Sequence, residues 1–282
     1  MEHNALDLLK YADEEKFAIP AFNYSDVWEM EGIVKAAELE NAPIFMMTNA
    51  QVSKEHTIEY LGRQALRVIE AASVPVVNHL DHCHEIDLCK TAVDYGYGSV
   101  MIDKSHLSLE ENIEGVKAVV QYAHKFGIAV EGEMGRIKGK SIEGTYDGDD
   151  FLVDVESAVK LVNESGVDSI AIGIGNAHGF YKKKPELNFE RLNEVNEATS
   201  IPLVLHGGTG IPEEDLQKAI RLGINKINIG TQLHYTYLQA LKEELRKNPD
   251  CINIVDIMMP VRDAVCEVVR KCIRMCMADN KA

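Results

Sequence analysis

Pro202-Leu-Val-Leu-His-Gly-Gly-Thr-Gly-Ile-Pro-Glu-Glu-Asp-Leu-Gln-Lys-Ala-Ile-Arg-Leu-Gly-Ile-Asn-Lys-Ile-Asn-Ile229 reads as one strand–helix–strand unit. Pro202–His206 is a short continuous apolar run, as expected of a parallel strand buried on both faces. Gly207-Gly-Thr-Gly210 breaks it, Pro212 sits where a first helical turn begins, and Gly223 follows the helix end. Lys226–Ile229 is the next strand. Outward from this unit the alternation repeats to the N-terminus, with strands predicted at Phe17–Asn23, Pro43–Thr48, Pro75–Leu80, Ser99–Asp103, Ile128–Glu133 and Ser169–Ile174. Ser108-Leu-Glu-Glu111 is a capping box opening a helix that closes at Gly127, and Gly96 and Gly166 likewise precede strands. Eight strands with intervening helices predict an α/β protein, a single (β/α)8 TIM barrel over residues 1–282, with a C-terminal helical extension at about 251–282. The competing architecture is an open doubly wound sheet.

The 282 residues suit one barrel of ~250 residues plus an extension. A hydrophobic share of 46% excludes a disordered chain, and a net charge of −16 argues against nucleic acid or anionic membranes as partners. No signal-type apolar run opens the chain and none approaches the ~18 residues a membrane span needs. Six cysteines without a CxxC pair read as reduced thiols, so a cytoplasmic location is expected.

Chemistry-bearing residues collect where the strands end. The third strand ends Asn78-His-Leu-Asp-His82, the fourth in Asp103 and the fifth in Glu131-Gly-Glu133. The sixth runs into Gly175-Asn-Ala-His178, the seventh into His206-Gly-Gly-Thr-Gly210, and the eighth ends Asn228-Ile-Gly-Thr231. In a barrel those ends form one rim around the active site. His82, His178 and His206 then offer three imidazoles to one Zn2+, a catalytic ligand set that leaves a position open. A lone histidine is more often hydrogen-bonded core; three at corresponding strand ends favour a site. His79 falls inside its strand and His84 after Cys83. Asp81 is better explained as a proton-transfer group than as a ligand, because adjacent residues on an extended strand point oppositely. Gly207, Gly208, Thr209 and the helix near Pro212 suit an oxyanion, with Asn228, Gly230 and Thr231 as the adjoining half. Gly135-Arg-Ile-Lys-Gly-Lys-Ser-Ile-Glu-Gly-Thr-Tyr-Asp-Gly148 predicts a long mobile loop that closes over substrate, or else a surface insertion.

Together these pieces resemble the class II fructose- and tagatose-bisphosphate aldolases. The motifs are Ala21-Phe-Asn23, His79-Leu-Asp-His82, Ser99-Val-Met-Ile-Asp103, Glu131-Gly-Glu-Met-Gly135, Gly175-Asn-Ala-His-Gly-Phe-Tyr181, Pro202-Leu-Val-Leu-His-Gly-Gly208 and Lys226-Ile-Asn228, in family order over nearly the whole chain. The resemblance implies a zinc-dependent lyase of carbohydrate metabolism, in or near glycolysis. It would split a ketose 1,6-bisphosphate into dihydroxyacetone phosphate and an aldehyde such as glyceraldehyde 3-phosphate. It implies His82, His178 and His206 as zinc ligands, Glu133 as an acid that joins when the ion shifts, and Asp81 as the acid/base at the C4 hydroxyl. Asn228 matches the residue that holds the enediolate. Lys182 matches a phosphate-holding position, and Gly179, Gly207, Gly208 and Thr209 the region for phosphate and a monovalent cation, Na+ or K+. Asn23 and Thr48 fall near substrate, and Glu143 is the loop acid for the second proton transfer. The expected assembly is a homodimer or homotetramer.

The chain departs from the family pattern in places. Cys83-His-Glu85 stands where Gly usually follows the Asp-His pair, Glu143 stands alone where the loop usually has paired acids, and the eighth strand continues Gly230-Thr-Gln232. Arg262 is only a neighbour of the arginine often used for the distal phosphate. The aldehyde partner therefore stays open between fructose, tagatose and another ketose phosphate, such as an inositol-breakdown or sulfosugar intermediate. A non-catalytic sugar-phosphate-binding protein is the alternative of a different class.

Overall fold

Strands apolar on both faces need helices around them, and the chain supplies the two in alternation. The computed structural model describes residues 4–50, 58–135, 137–141, 144–146, 152–181 and 184–282. After α1 (Ala5–Glu15) come β1 (Ile19–Asn23), α2 (Val27–Glu40), β2 (Ile44–Asn49), α3 (Ile58–Ala71), β3 (Val76–Cys83), α4 (Ile86–Asp94) and β4 (Ser99–Ile102). There follow α5 (Leu109–Ala123), β5 (Ala129–Met134), β6 (Lys138–Ser141), β7 (Gly144–Tyr146), α6 (Val155–Ser165), β8 (Ser169–Ile172) and β9 (Ala177–His178). The chain ends with α7 (Phe189–Ala198), β10 (Leu203–Leu205), α8 (Glu213–Arg221), β11 (Ile224–Ile229), α9 (Thr231–Lys247) and α10 (Ile254–Met275).

Strands β1, β2, β3, β4, β5, β8, β10 and β11 close into one parallel barrel, as the alternation predicts, with Ile19 opposite Lys226 and Ala21 opposite Asn228 at the seam. The open-sheet alternative is thereby excluded. Helix starts follow the sequence signals: Ser108 and Glu111 form the capping box of α5, and α8 begins directly after Pro212. The last helix, α10, packs along α2 and α9. Gly32 permits that approach, since a Cβ there would lie 2.9 Å from the Arg262 carbonyl oxygen. Arg270 and Arg274 both bind the buried Glu40 carboxylate, which fastens the end of α2 to α10.

Two stretches differ from the expectation. Strand β3 runs on past Leu80 to Cys83, with a register shift against β4 between those residues. The stretch read as a loop after β5 holds an antiparallel β6–β7 hairpin, and β6 pairs in parallel with β9, placing Gly139 opposite His178. Glu143 lies outside the described residues. Among the described residues no helix is long and apolar enough to cross a membrane.

Candidate metal and active site

The barrel topology brings the C-terminal ends of β3 and β11 and the segments after β8 and β10 to one mouth. One pocket there is lined by Asn23, Asn49, Asp81, His82, His178, Gly179, Gly207, Thr209, Asn228, Gly230, Thr231 and His234. Each of His82, His178 and His206 offers a donor atom, and these atoms lie within 4.8 Å of one another. His206 Nδ1 is 2.9 Å from His82 Nε2. Two ~2.05 Å zinc–nitrogen bonds at a tetrahedral angle would hold their nitrogens about 3.3 Å apart, so this pair needs only a small adjustment to share an ion. On the opposite edge of its ring, His206 Nε2 is 2.9 Å from Glu131 Oε1. A proton held at Nε2 by that carboxylate leaves the Nδ1 lone pair facing His82, the usual arrangement for a ligand histidine. Burial, then His82, holds the His206 pKa well below the ordinary value, so the ring is neutral and able to ligate.

Asp81 and His82 are adjacent, yet both face the pocket. The alternation expected of an extended strand fails here because His82 has φ +46° within the irregular end of β3. Asp81 accepts from the amides of Asn23 (3.0 Å) and Asn228 (3.1 Å). Burial works to raise its pKa, but His82, His206, Lys226 and the Asn23 amide outweigh burial and lower it, leaving an ionised carboxylate. Among the described residues Asp81 belongs to no metal-ligand group, whereas Glu133 and Asp103 form one with His82. The Glu133 Oε2 atom is buried without a hydrogen-bond partner, 3.9 Å from His206 Nδ1. Burial, then Asp103, raises its pKa well above the carboxylate range. An unsatisfied carboxyl oxygen beside a nitrogen cluster fits a site that takes a cation.

Sequence reasoning gave no role to Lys226, a fully buried charge in the barrel. Its Nζ is 2.8 Å from Glu131 Oε2, both side chains being almost fully buried. Period-two alternation was the available signal: Lys226 shares a strand face with Asn228, and Glu131 shares one with Glu133. The chain thus runs from Lys226 through Glu131 to His206. Replacing Lys226 by Met should strand the Glu131 charge and destabilise the fold by about 3 kcal/mol, the low end for breaking a buried pair, because His206 remains as a partner. Urea unfolding measures this, and a loss below about 1 kcal/mol, the scale of an exposed pair, would show that the ion pair contributes little.

The other half of the pocket suits an anion. Helix α9 opens onto it through Gly230, Thr231 and His234. Among the described α-helices α9 alone lacks an acidic residue in its first turn, so its N-terminal dipole is uncompensated. Gln232, uncharged in that first turn, is part of the reason. The sequence pattern did not single out His234; it pairs with buried Glu29 at 3.1 Å, and although burial lowers its pKa, Glu29 raises it further. Thr209 accepts the Gln232 N–H at 3.3 Å. Gly207 has φ +66°, and a Cβ there would meet the Ala177 carbonyl oxygen at 2.2 Å, so no side chain fits. The Tyr181 hydroxyl accepts from Ala177 N–H and donates to the Gly207 carbonyl, while Asn176 donates to the His206 carbonyl, fixing the two loops together.

Of the residues expected to bind substrate or phosphate, two described ones do not line the pocket. The Thr48 hydroxyl is buried against Tyr97 at 2.8 Å, and the next residue on the strand, Asn49, lines the pocket instead. Gly208 donates its N–H to the Asn228 carbonyl at 3.0 Å and packs on Ile227, so it spaces β10 from β11. Lys182 lies outside the described residues.

Comparison with known proteins places the chain in one family. A family model described as class-II fructose-bisphosphate aldolase matches residues 3–281. A sulfofructosephosphate aldolase from Alkalicoccus urumqiensis is 36% identical over 276 residues, covering 98% of this chain and 96% of the relative. A fructose-bisphosphate aldolase from Staphylococcus epidermidis is 35% identical over 282 residues, covering 98% and 97%. The crystal structure of the YdjI aldolase from Escherichia coli K12 superposes with a TM-score of 0.88 at 33% identity, over 100% of both chains.

Proposed function

The chain belongs to the class-II fructose-bisphosphate aldolase family, a family of metal-dependent lyases, and on that premise we propose that it reversibly cleaves a ketose 1,6-bisphosphate of fructose or tagatose type. The products would be dihydroxyacetone phosphate and an aldehyde such as glyceraldehyde 3-phosphate. The observation that carries this reading is the meeting of three metal-competent histidines, two of which line the pocket beside the α9 N-terminus together with an ionised Asp81.

His82, His178 and His206 would hold Zn2+, with Glu133 near enough to join them. Bound there, the ion supplies Lewis acidity, the electron sink that carbon–carbon cleavage needs. Asp81 takes the C4 hydroxyl proton; Asn23 and Asn228 aim its carboxylate and keep it ionised. The buried Asn228 side chain, whose Oδ1 has no partner among the described residues, faces the same space and steadies the enediolate. The phosphate of dihydroxyacetone phosphate sits against Gly179, Gly207, Thr209, Gly230 and Thr231, with Lys182 and a monovalent cation, Na+ or K+, completing the charge balance. Glu143 serves the second proton transfer.

A second reading within the same chemistry takes a sulfonated ketose phosphate, favoured by the sulfofructosephosphate aldolase relative. The two readings share the dihydroxyacetone phosphate half and differ at the far end of the sugar. A coupled assay for dihydroxyacetone phosphate release from fructose 1,6-bisphosphate, tagatose 1,6-bisphosphate and 6-deoxy-6-sulfofructose 1-phosphate separates them. The bisphosphates should be preferred in kcat/KM; preference for the sulfo sugar selects the second reading, and release from none of them rejects both. The protein is further proposed to be a cytoplasmic homodimer or homotetramer. Exposed Leu245, Ile252, Ile254, Val255 and Met259, clustered where α9 meets α10, support assembly.

A further inference from the structure

A second group of donors meets on the rim, away from the phosphate half of the pocket. His84 follows the last residue of β3, Asp103 follows β4, and His106 stands between β4 and α5. Because β3 and β4 are neighbours, with Cys83 opposite Ile102, the residues just past both ends converge. Donor atoms of His84, Asp103 and His106 lie within 4.8 Å of one another. The His84 and His106 rings stand edge to face, 5.2 Å between centroids at 89°. His84 Nδ1 is 2.9 Å from the Asp103 carbonyl oxygen, so Nδ1–H donates there and Nε2 keeps its lone pair. His84 also lies in the Cys83-His-Glu85 departure from the family pattern, which the aldolase chemistry leaves unexplained.

We propose that His84, His106 and the Asp103 carboxylate form an auxiliary transition-metal site, separate from the three-histidine centre. Two imidazoles and one carboxylate suit Zn2+, Co2+ or Ni2+ rather than Mg2+ or Ca2+, and leave the remaining positions to water. Both histidines are open to solvent to some degree, so the ion can enter from outside. Asp103 Oδ2 lies 3.9 Å from His84 Nδ1 and 3.6 Å from His82 Nδ1, which places one carboxylate between the two centres. An ion here would tie the β3–α4 and β4–α5 connections together beside the catalytic histidines. The site does not depend on which sugar is cleaved, nor on the assignment of Asp81.

The test is metal stoichiometry. Metal-stripped full-length protein is titrated with Co2+ and, separately, Zn2+, with bound metal measured by elemental analysis and Co2+ absorption. Wild type should bind a second equivalent per chain, and His84→Ala and His106→Ala should each lose that equivalent while keeping the first. His84→Gln, which preserves side-chain bulk, should lose it too. Saturation of wild type at one equivalent overturns the proposal. Survival of the second equivalent in these variants also overturns it and moves the ion to the Glu133 side of Asp103. Loss of both equivalents overturns it as well, since the two centres would then be one.

Discussion

Stripping the metal from the purified protein should abolish aldol cleavage, by at least about a thousandfold, and added Zn2+ should restore it. The size follows from the chemistry: an electron sink worth several kcal/mol of charge stabilisation is lost, and each 1.4 kcal/mol is about tenfold in rate. Among the described residues that line the pocket there is no lysine or arginine to take its place. His206 is neutral, and the nearest buried cation, Lys226, is committed to Glu131 at 2.8 Å. The same commitment argues against a Schiff base, which needs a free amine. His206→Ala should reproduce the effect of chelation without any chelator, because it removes one of the three nitrogens. Full activity in protein verified to be metal-free, or a borohydride-trapped adduct on Lys226, would contradict this reading.

Asp81→Ala should lower kcat by about 10²–10⁴-fold, the range for a general acid–base group, while bound metal stays near the wild-type level. The separation rests on geometry. Asp81 is held by two amides on its two oxygens and among the described residues joins no ligand group, whereas its neighbour His82 joins two. Asp81→Asn should fall as far in kcat, since shape without the basic oxygen is not enough. Metal analysis beside kinetics decides between the roles: a variant that loses its ion identifies Asp81 as a ligand. A kcat within a few-fold of wild type would move the base elsewhere.

Much of the barrel was legible because short apolar runs between helix caps leave few alternatives. Ser108 with Glu111, and Pro212 with Gly223, mark helix ends that the fold keeps. The rim histidines were legible for the same reason, since strand ends in a barrel are neighbours whatever their separation in sequence. What could not be read was local backbone. Nothing in Asp81-His82 announces the left-handed residue that turns both side chains into the pocket. The resemblance places Thr48 near substrate but says nothing of strand phase; its hydroxyl turns to Tyr97, and Asn49, one residue on and on the other face, lines the pocket. The β6–β7 hairpin carries glycines and charges without alternation, so its pairing with β9 depends on tertiary contact alone. Lys226 and Glu131 stand in the quoted motifs but were given no role, because neither stretch reveals the partner 2.8 Å away.

The most direct test needs no knowledge of the aldehyde. Metal-replete protein is incubated with dihydroxyacetone phosphate alone in D2O, and the C3 hydrogens are followed by proton NMR. If the three-histidine pocket makes the enediolate, one prochiral hydrogen will exchange with solvent. The same exchange will be missing from metal-stripped protein and from His206→Ala. Absence of exchange in the metal-replete protein, or equal exchange after the metal is removed, would contradict the assignment of this pocket as a metal-dependent aldolase site.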